Sequence, residues 1–218
     1  MRTGYTCGMA EAIGEWDACI GTTMNGDIIG SRRFWLQHGV AARRDLQRRL
    51  EDILDRGNQL FETIEPLQTS IGDEFQGAFV DWETAMGVGL WLRLQIQAVS
   101  GVDTRYGFCD GEFFYHPQAP LQQGPAWRES RAAIKHVRAW QKADPGDSRR
   151  SCFLSGDKGR VDAKAINSLS AVIDQRLETA TDTARERLIA RLEEQAGQSS
   201  WLDYHSVIRH LDELSSAH

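Results

Sequence analysis

Six alternating segments between Ala18 and Phe114 constrain this chain more than any other feature. Ala18-Cys19-Ile20-Gly21-Thr22-Thr23-Met24 is small, apolar and β-branched, and it runs into Asn25-Gly26-Asp27. That pattern predicts a buried strand ending on an acid. From Arg32 to Arg56 the period is helical, with Leu36, Val40, Leu46, Leu50, Ile53 and Leu54 on one face and Gly57-Asn58 as the stop. Glu65–Ile71 and Phe75–Val80 read as two strands around the acidic turn Gly72-Asp73-Glu74, a hairpin. Asp81 caps an apolar helix over Trp82–Val99, which Ser100-Gly101 ends. Val102–Phe114 alternates, and Gly107 and Gly111 mark a bend or a close backbone approach.

The order β-α-β-β-α-β is that of the ferredoxin-like split βαβ unit. Downstream, Tyr115–Gly124 reads as a loop, and Pro125 starts a helix that reaches about Lys142. Asp144–Asp147 is a turn, and Ser151–Ser155 is a short strand. A long helix is expected over Asp162–Gln195, a break over Gly197–Ser200, and a last amphipathic helix over Trp201–Leu214. The expected architecture is α+β: a ferredoxin-like, palm-type sheet with helices on one face and a helical C-terminal extension. Three regions follow: an N-terminal extension (1–17), the palm domain (18–160) and a C-terminal helical region (161–218).

Composition agrees with a folded chain: 41% hydrophobic, 26% charged, with 20 Gly and 5 Pro scattered among 218 residues. No apolar run approaches the roughly 18 residues of a membrane span, and the first 17 residues lack the apolar core of a signal peptide. Cys7, Cys19, Cys109 and Cys152 form no CxxC pair. They read as small buried residues of a reducing compartment rather than zinc ligands, so a cytoplasmic protein is expected. There is no HExxH, no GxSxG and no P-loop. The net charge of −6 argues against a dedicated nucleic-acid binder.

The chemistry concentrates at one end of the expected sheet. In a split βαβ unit the first strand lies beside the hairpin, which brings Asp27, Asp73 and Glu74 together. Clustered carboxylates repel one another unless a cation neutralises them. Hard oxygen donors suit Mg²⁺ or Mn²⁺, which can bridge phosphate oxygens. Gly26, Gly72 and Gly77 would leave the backbone open to a ligand. The bland alternative is ordinary turn chemistry with solvated acids.

Gly26-Asp27-Ile28-Ile29-Gly30-Ser31-Arg32, followed by Gly72-Asp73-Glu74-Phe75-Gln76-Gly77, resembles the SatD family of bacterial proteins. Arg105-Tyr106-Gly107-Phe108 and Gly124-Pro125-Ala126-Trp127, with Arg131 beyond, fit the same pattern, which spans roughly residues 18–142. Those motifs in turn look like the palm of GGDEF diguanylate cyclases and class III nucleotidyl cyclases. The resemblance implies Asp27 and Asp73 as ligands of Mg²⁺ or Mn²⁺ and Glu74 as a neighbouring catalytic acid. Ile71 departs from the pattern where the GGDEF signature has its first glycine, Cys109 stands where another glycine is expected, and Gln123 replaces a usual acid.

Arg32, near the expected helix start, and Arg131 are candidate phosphate-binding residues, together with Gly26 and Gly72. Arg105, within a strand, reads either as a phosphate contact or as a structural ion pair. The other arginines of the first helix read as a solvated face. Trp82, Trp91, Trp127 and Trp140 read as core. Between Ser170 and His218 nine acids face five Arg and no Lys. That balance disfavours DNA reading by the last two helices. The long helix is expected to cover the sheet or make a homodimer contact. The leading expectation is therefore a nucleotide ligand held through a divalent metal, for nucleotidyl transfer or nucleotide sensing. The alternative is a catalytically inactive regulatory protein acting through partner or DNA binding by its C-terminal helices.

Overall fold

The computed structural model describes residues 16–116, 123–196 and 204–215. Its elements are β1 (Ala18–Ile28), α1 (Ser31–Leu60), β2 (Glu65–Thr69), β3 (Glu74–Phe79), α2 (Trp82–Ser100), β4 (Thr104–Phe114), α3 (Pro125–Ala143), β5 (Ser151–Ser155), α4 (Ala163–Thr179), α5 (Asp182–Gln195) and α6 (Tyr204–Ser215). The strands make one sheet in the order β2-β3-β1-β4-β5. β1 is antiparallel to β3 and β4, β3 is antiparallel to β2, and β5 adds parallel to β4. The first four strands therefore have the split βαβ order, with β1 and β3 at the centre. Residues 1–15 of the expected N-terminal extension and the Gly197–Ser200 break lie outside the described residues. No described helix is long and apolar enough to cross a membrane.

Alternation along the strands sets two faces. Met24, Ile28, Phe75, Phe79, Tyr106, Phe108 and Phe153 point to one face. There they pack on Leu46, Leu50, Ile53 and Leu54 of α1 and on Val88, Trp91 and Leu92 of α2. The other face of β4 carries Gly107, Cys109 and Gly111. α3 lies there, so the helices occupy both faces rather than one. The reason is steric: a Cβ on Gly107 would stand 2.1 Å from the Ser130 carbonyl oxygen and 2.5 Å from the Ile134 nitrogen. The close approach expected at Gly107 is thus the backbone of α3. Trp127 and Phe113 pack edge-to-face beneath it.

α1 differs from its expected pattern at both ends. Gly39 breaks the helix with φ 83°, so Leu36 and Val40 fall out of phase with the buried stripe and are 63% and 60% exposed. Beyond Arg56 the helix runs through Gly57 and Asn58, the expected stop. A side chain at Gly57 would meet Leu67 at 2.6 Å, and the Asn58 amide pairs with both the N–H and the carbonyl of Leu67. The helix expected over Asp162–Gln195 is two helices. Thr181 turns extended and its hydroxyl accepts from the Ala184 N–H, starting α5 afresh. Ile166, Ile173 and Leu177 of α4, Leu188 and Leu192 of α5, and Val207 and Leu211 of α6 join the same core as α1 and α2.

Candidate functional site

β1 and β3 end together. Asp27 pairs in register with Glu74 on one side and with Arg105 of β4 on the other. The β2–β3 turn, with Gly72 at φ 69° and Asp73 half-buried beside it, closes the same end. The register thus brings Asp27 and Glu74 side by side at one end of the central strands, with Asp73 in the adjoining turn. Phe75 is packed under Gly26: its ring lies 2.4 Å from where a Cβ on Gly26 would stand. Gly26 is therefore filled by the core rather than open to a ligand, and Gly77 likewise meets Leu67. Gly72 has open space around it.

The Asp27 side chain points to the α3 face and is 3% exposed. Arg105 grips it as a fork, Nε to Oδ1 at 2.6 Å and Nη2 to Oδ2 at 3.2 Å, while Nη1 donates to the Gln141 side-chain Oε1 at 3.1 Å. Arg105 is thus an ion-pair partner of Asp27. A second guanidinium arrives from α3: Nη2 of Arg138 donates to Asp27 Oδ2 and, at 3.3 Å, to Glu74 Oε1. Burial lowers the affinity of Arg138 for its proton, but Asp27 and Glu74 outweigh that effect and the guanidinium is held charged above its ordinary pKa. Below this cluster, α3 is pinned to β1 by Ser130, which receives hydrogen bonds from Asn25 Nδ2 at 2.6 Å and the Thr23 hydroxyl at 3.2 Å.

Arg131 is exposed at the level of Asn25 and Gly107, two turns before Arg138. The arginine of α3 that reaches the acids is Arg138, seven residues on and so on nearly the same helical stripe. The sequence reading passed over it. The signal available was that stripe, combined with a helix lying flat on Gly107 and running toward Asp27. Arg32 is exposed at the start of α1, where Gly30 provides no side-chain cap and the first turn holds no acid. Those free amide groups favour an anion.

The residues present do not fit a metal centre in this arrangement. Mg²⁺ needs only one or two carboxylates in addition to a ligand's phosphates, so the number of acids does not decide. What decides is that both oxygens of Asp27 carry guanidinium hydrogen bonds and the nearest Glu74 oxygen shares one of them. Among the described residues no group of three or more His, Cys, Asp or Glu is placed to hold a metal ion. The buried thiols of Cys109 and Cys152 offer no alternative, because burial pushes them up to about 12 and about 11.

A second ionic network was not read from the sequence. Arg93 of α2, 5% exposed, pairs with Asp103 at 2.8 Å and Asp174 of α4 at 2.7 Å. Arg150 pairs with Asp103 at 2.8 Å and Glu178 at 3.4 Å, and its backbone N–H donates to Asp174. A water-sized cavity of about 30 Å³ lies against Arg93, Tyr106, Ser170 and Asp174. This network ties α4 to α2 and to the start of β5.

Comparison with protein-family models gives no match, so the SatD resemblance of the motifs has no family match behind it. No curated protein matches the sequence either. Among solved structures, the chain is similar to a bacterial light-regulated adenylyl cyclase at 14% identity and a TM-score of 0.47, over 64% of this chain and 44% of that one. It is also similar to the guanylyl cyclase domain of the RhoGC fusion protein from the aquatic fungus Blastocladiella emersonii. There the identity is 13% and the TM-score 0.39, over 60% of this chain and 88% of that domain. A third is the catalytic core of a rhodopsin-guanylyl cyclase with converted specificity, in complex with ATPαS, at 15% identity and a TM-score of 0.37 over 55% and 72%. The chain thus spans less than half the length of the bacterial cyclase. The fold described above rests on strand order and register alone.

Proposed function

We propose that the chain is a palm-type nucleotide-binding protein that holds the phosphates of its ligand at the β1–β3 end of the sheet, for nucleotidyl transfer or for nucleotide sensing. The observation that carries this reading is that Asp27 and Glu74, acids on neighbouring central strands, share one cation there. Beside them the uncapped start of α1 offers backbone N–H groups, with Arg32 exposed in its first turn. Together they make an end that places fixed positive groups next to a solvent-reachable acid. The likeness of the Gly26-Asp27 and Gly72-Asp73-Glu74-Phe75 motifs to nucleotidyl cyclase palms narrows the anion to a nucleotide.

In this reading Arg32 and the α1 amides receive phosphate oxygens, and Gly72 lets the ligand pass close to the turn. Asp27 orients Arg105 and Arg138. Glu74, whose side chain is 48% exposed, is the acid placed to take a proton from a ligand hydroxyl. No step is routed through a metal.

A thermal-shift panel of the four nucleoside triphosphates, each in EDTA and in Mg²⁺ or Mn²⁺, tests this. A ligand that binds only the folded state raises the midpoint by mass action. A triphosphate should raise it in EDTA, and Arg32→Glu should abolish the shift. No shift with any triphosphate, with or without metal, would overturn the reading. That result would favour the second reading, a regulatory protein whose palm does no chemistry and whose C-terminal helices meet a partner or DNA. The observation on its side is that the buried Asp27 has both oxygens engaged by Arg105.

A further inference from the structure

We propose that Arg138 is the resident cation of the Asp27–Glu74 pair. Its guanidinium takes the position that a divalent ion would need and closes the pair to metal. The inference rests on the β1–β3 end being the functional site and specifies how that site meets its charge.

The Asp27–Glu74 pair itself is balanced without an ion. Asp27 and Glu74 carry two negative charges, and Arg105 and Arg138 carry two positive ones. A divalent cation entering contact distance would meet two guanidiniums already in contact with Asp27, and at such range like charges repel strongly. The two arginines are not equivalent. Arg105 is held by three hydrogen bonds through three different nitrogens and its side chain is 17% exposed. Arg138 reaches both acids with the single nitrogen Nη2, is 40% exposed, and has a buried Nε with no hydrogen-bond partner. Arg105 is the fixed partner of Asp27, and Arg138 is the one that excludes an ion. Taking its charge away leaves Asp27, still held by Arg105 on its β4 side, and Glu74 Oε1 with one uncompensated negative charge and no cation between them across β1 and β3. Two carboxylates so placed recruit a hard cation.

The test is a Mn²⁺ titration of the full chain, followed by the loss of the free-ion electron paramagnetic resonance signal. Wild type, Asp27→Asn, Arg138→Gln, Arg138→Met, Arg138→Lys and the double variant Arg138→Gln/Asp27→Asn are compared, each first checked by its circular dichroism melt. Arg138→Met keeps the apolar stem and serves if the glutamine variant does not fold. Wild type and Arg138→Lys should take up no Mn²⁺ at this pair. Arg138→Gln or Arg138→Met should bind one equivalent at least about tenfold more tightly, as loss of a contacting like charge implies, and Asp27→Asn should abolish the gain. Two results would overturn the proposal: Mn²⁺ binding by wild type that Asp27→Asn removes, or no gain in either neutral variant. The triphosphate panel in EDTA is a separate readout. Its failure alongside the expected Mn²⁺ pattern would remove the phosphate-site reading and leave the role of Arg138 standing.

Discussion

Asp27 is 3% exposed, and a carboxylate so deep is stable only if its charge is met where it lies. Arg105 supplies the fork. Arg105→Ala should therefore cost about 3 kcal/mol in urea unfolding, the low end of the range for removing one partner of a buried pair, since a second cation remains. A loss under about 0.5 kcal/mol, the level of an exposed pair, would show that the fork does not form. The second network makes a pH prediction. Burial pushes Asp174 up to about 6 against Arg93 and the Arg150 backbone, which pull it down. A folded-state pKa raised above 3.8 means the folded chain binds this proton more tightly than the unfolded one. Stability from this group then grows as pH falls from about 7 through 6 toward 4. Asp174→Asn lacks that proton, so the midpoint difference between wild type and variant should move in favour of wild type between pH 8 and pH 5. A pH-independent difference would contradict it. At this scale the sequence identifies Asp27 and the Gly72-Asp73-Glu74 turn, because strand-end and hairpin positions follow from local pattern. It does not reveal Arg138 or the Arg93–Asp103–Asp174–Arg150 network, whose members lie far apart in sequence and meet only through helix docking.

Elements were legible where apolar runs end on clear punctuation. β1, β3, α2, α3 and β5 stand within about two residues of where the sequence puts them: β1 and β3, buried on both faces, read as continuous apolar runs, and Asp81, Gly101 and Pro125 mark the ends of α2 and the start of α3. α1 failed at Leu36 and Val40 because a single left-handed glycine, Gly39, resets the phase without interrupting the composition. The long C-terminal helix failed because the apolar stripe continues from α4 into α5 across the Thr181 cap, so the pattern alone does not show the break. The side on which α3 docks is written in β4, where Gly107, Cys109 and Gly111 leave one face nearly flat. Gly107→Val places two methyl groups where the α3 backbone stands at 2.1–2.5 Å from a Cβ. It should destabilise the fold by about 3 kcal/mol, read as a lowered midpoint in a thermal melt. A melt unchanged from wild type would mean that α3 does not lie on this face.

Taken whole, the molecule hangs its C-terminal helices on the same core as the sheet. Leu188, Leu192, Val207 and Leu211 pack in one cluster with Trp91 and Leu50, while Arg56 and Trp91 both reach Glu193 of α5. The described chain should therefore unfold in a single transition, with calorimetric and van't Hoff enthalpies equal. Two separated transitions would show that residues 161–218 fold apart from the palm. Strand order follows from the β-α-β-β-α-β alternation, but the shared core does not, since nothing local tells α5 which face of α2 it meets. Where the ligand sits is tested most directly by amide shift mapping. ¹⁵N-labelled protein would be titrated in EDTA with the triphosphate that gives the largest thermal shift. The account predicts that the largest changes fall on the amides of Gly30–Phe34 and Gly72–Glu74, with the β1 start and the α5–α6 region unmoved. Changes centred elsewhere on the sheet, or none at saturating triphosphate, would contradict it.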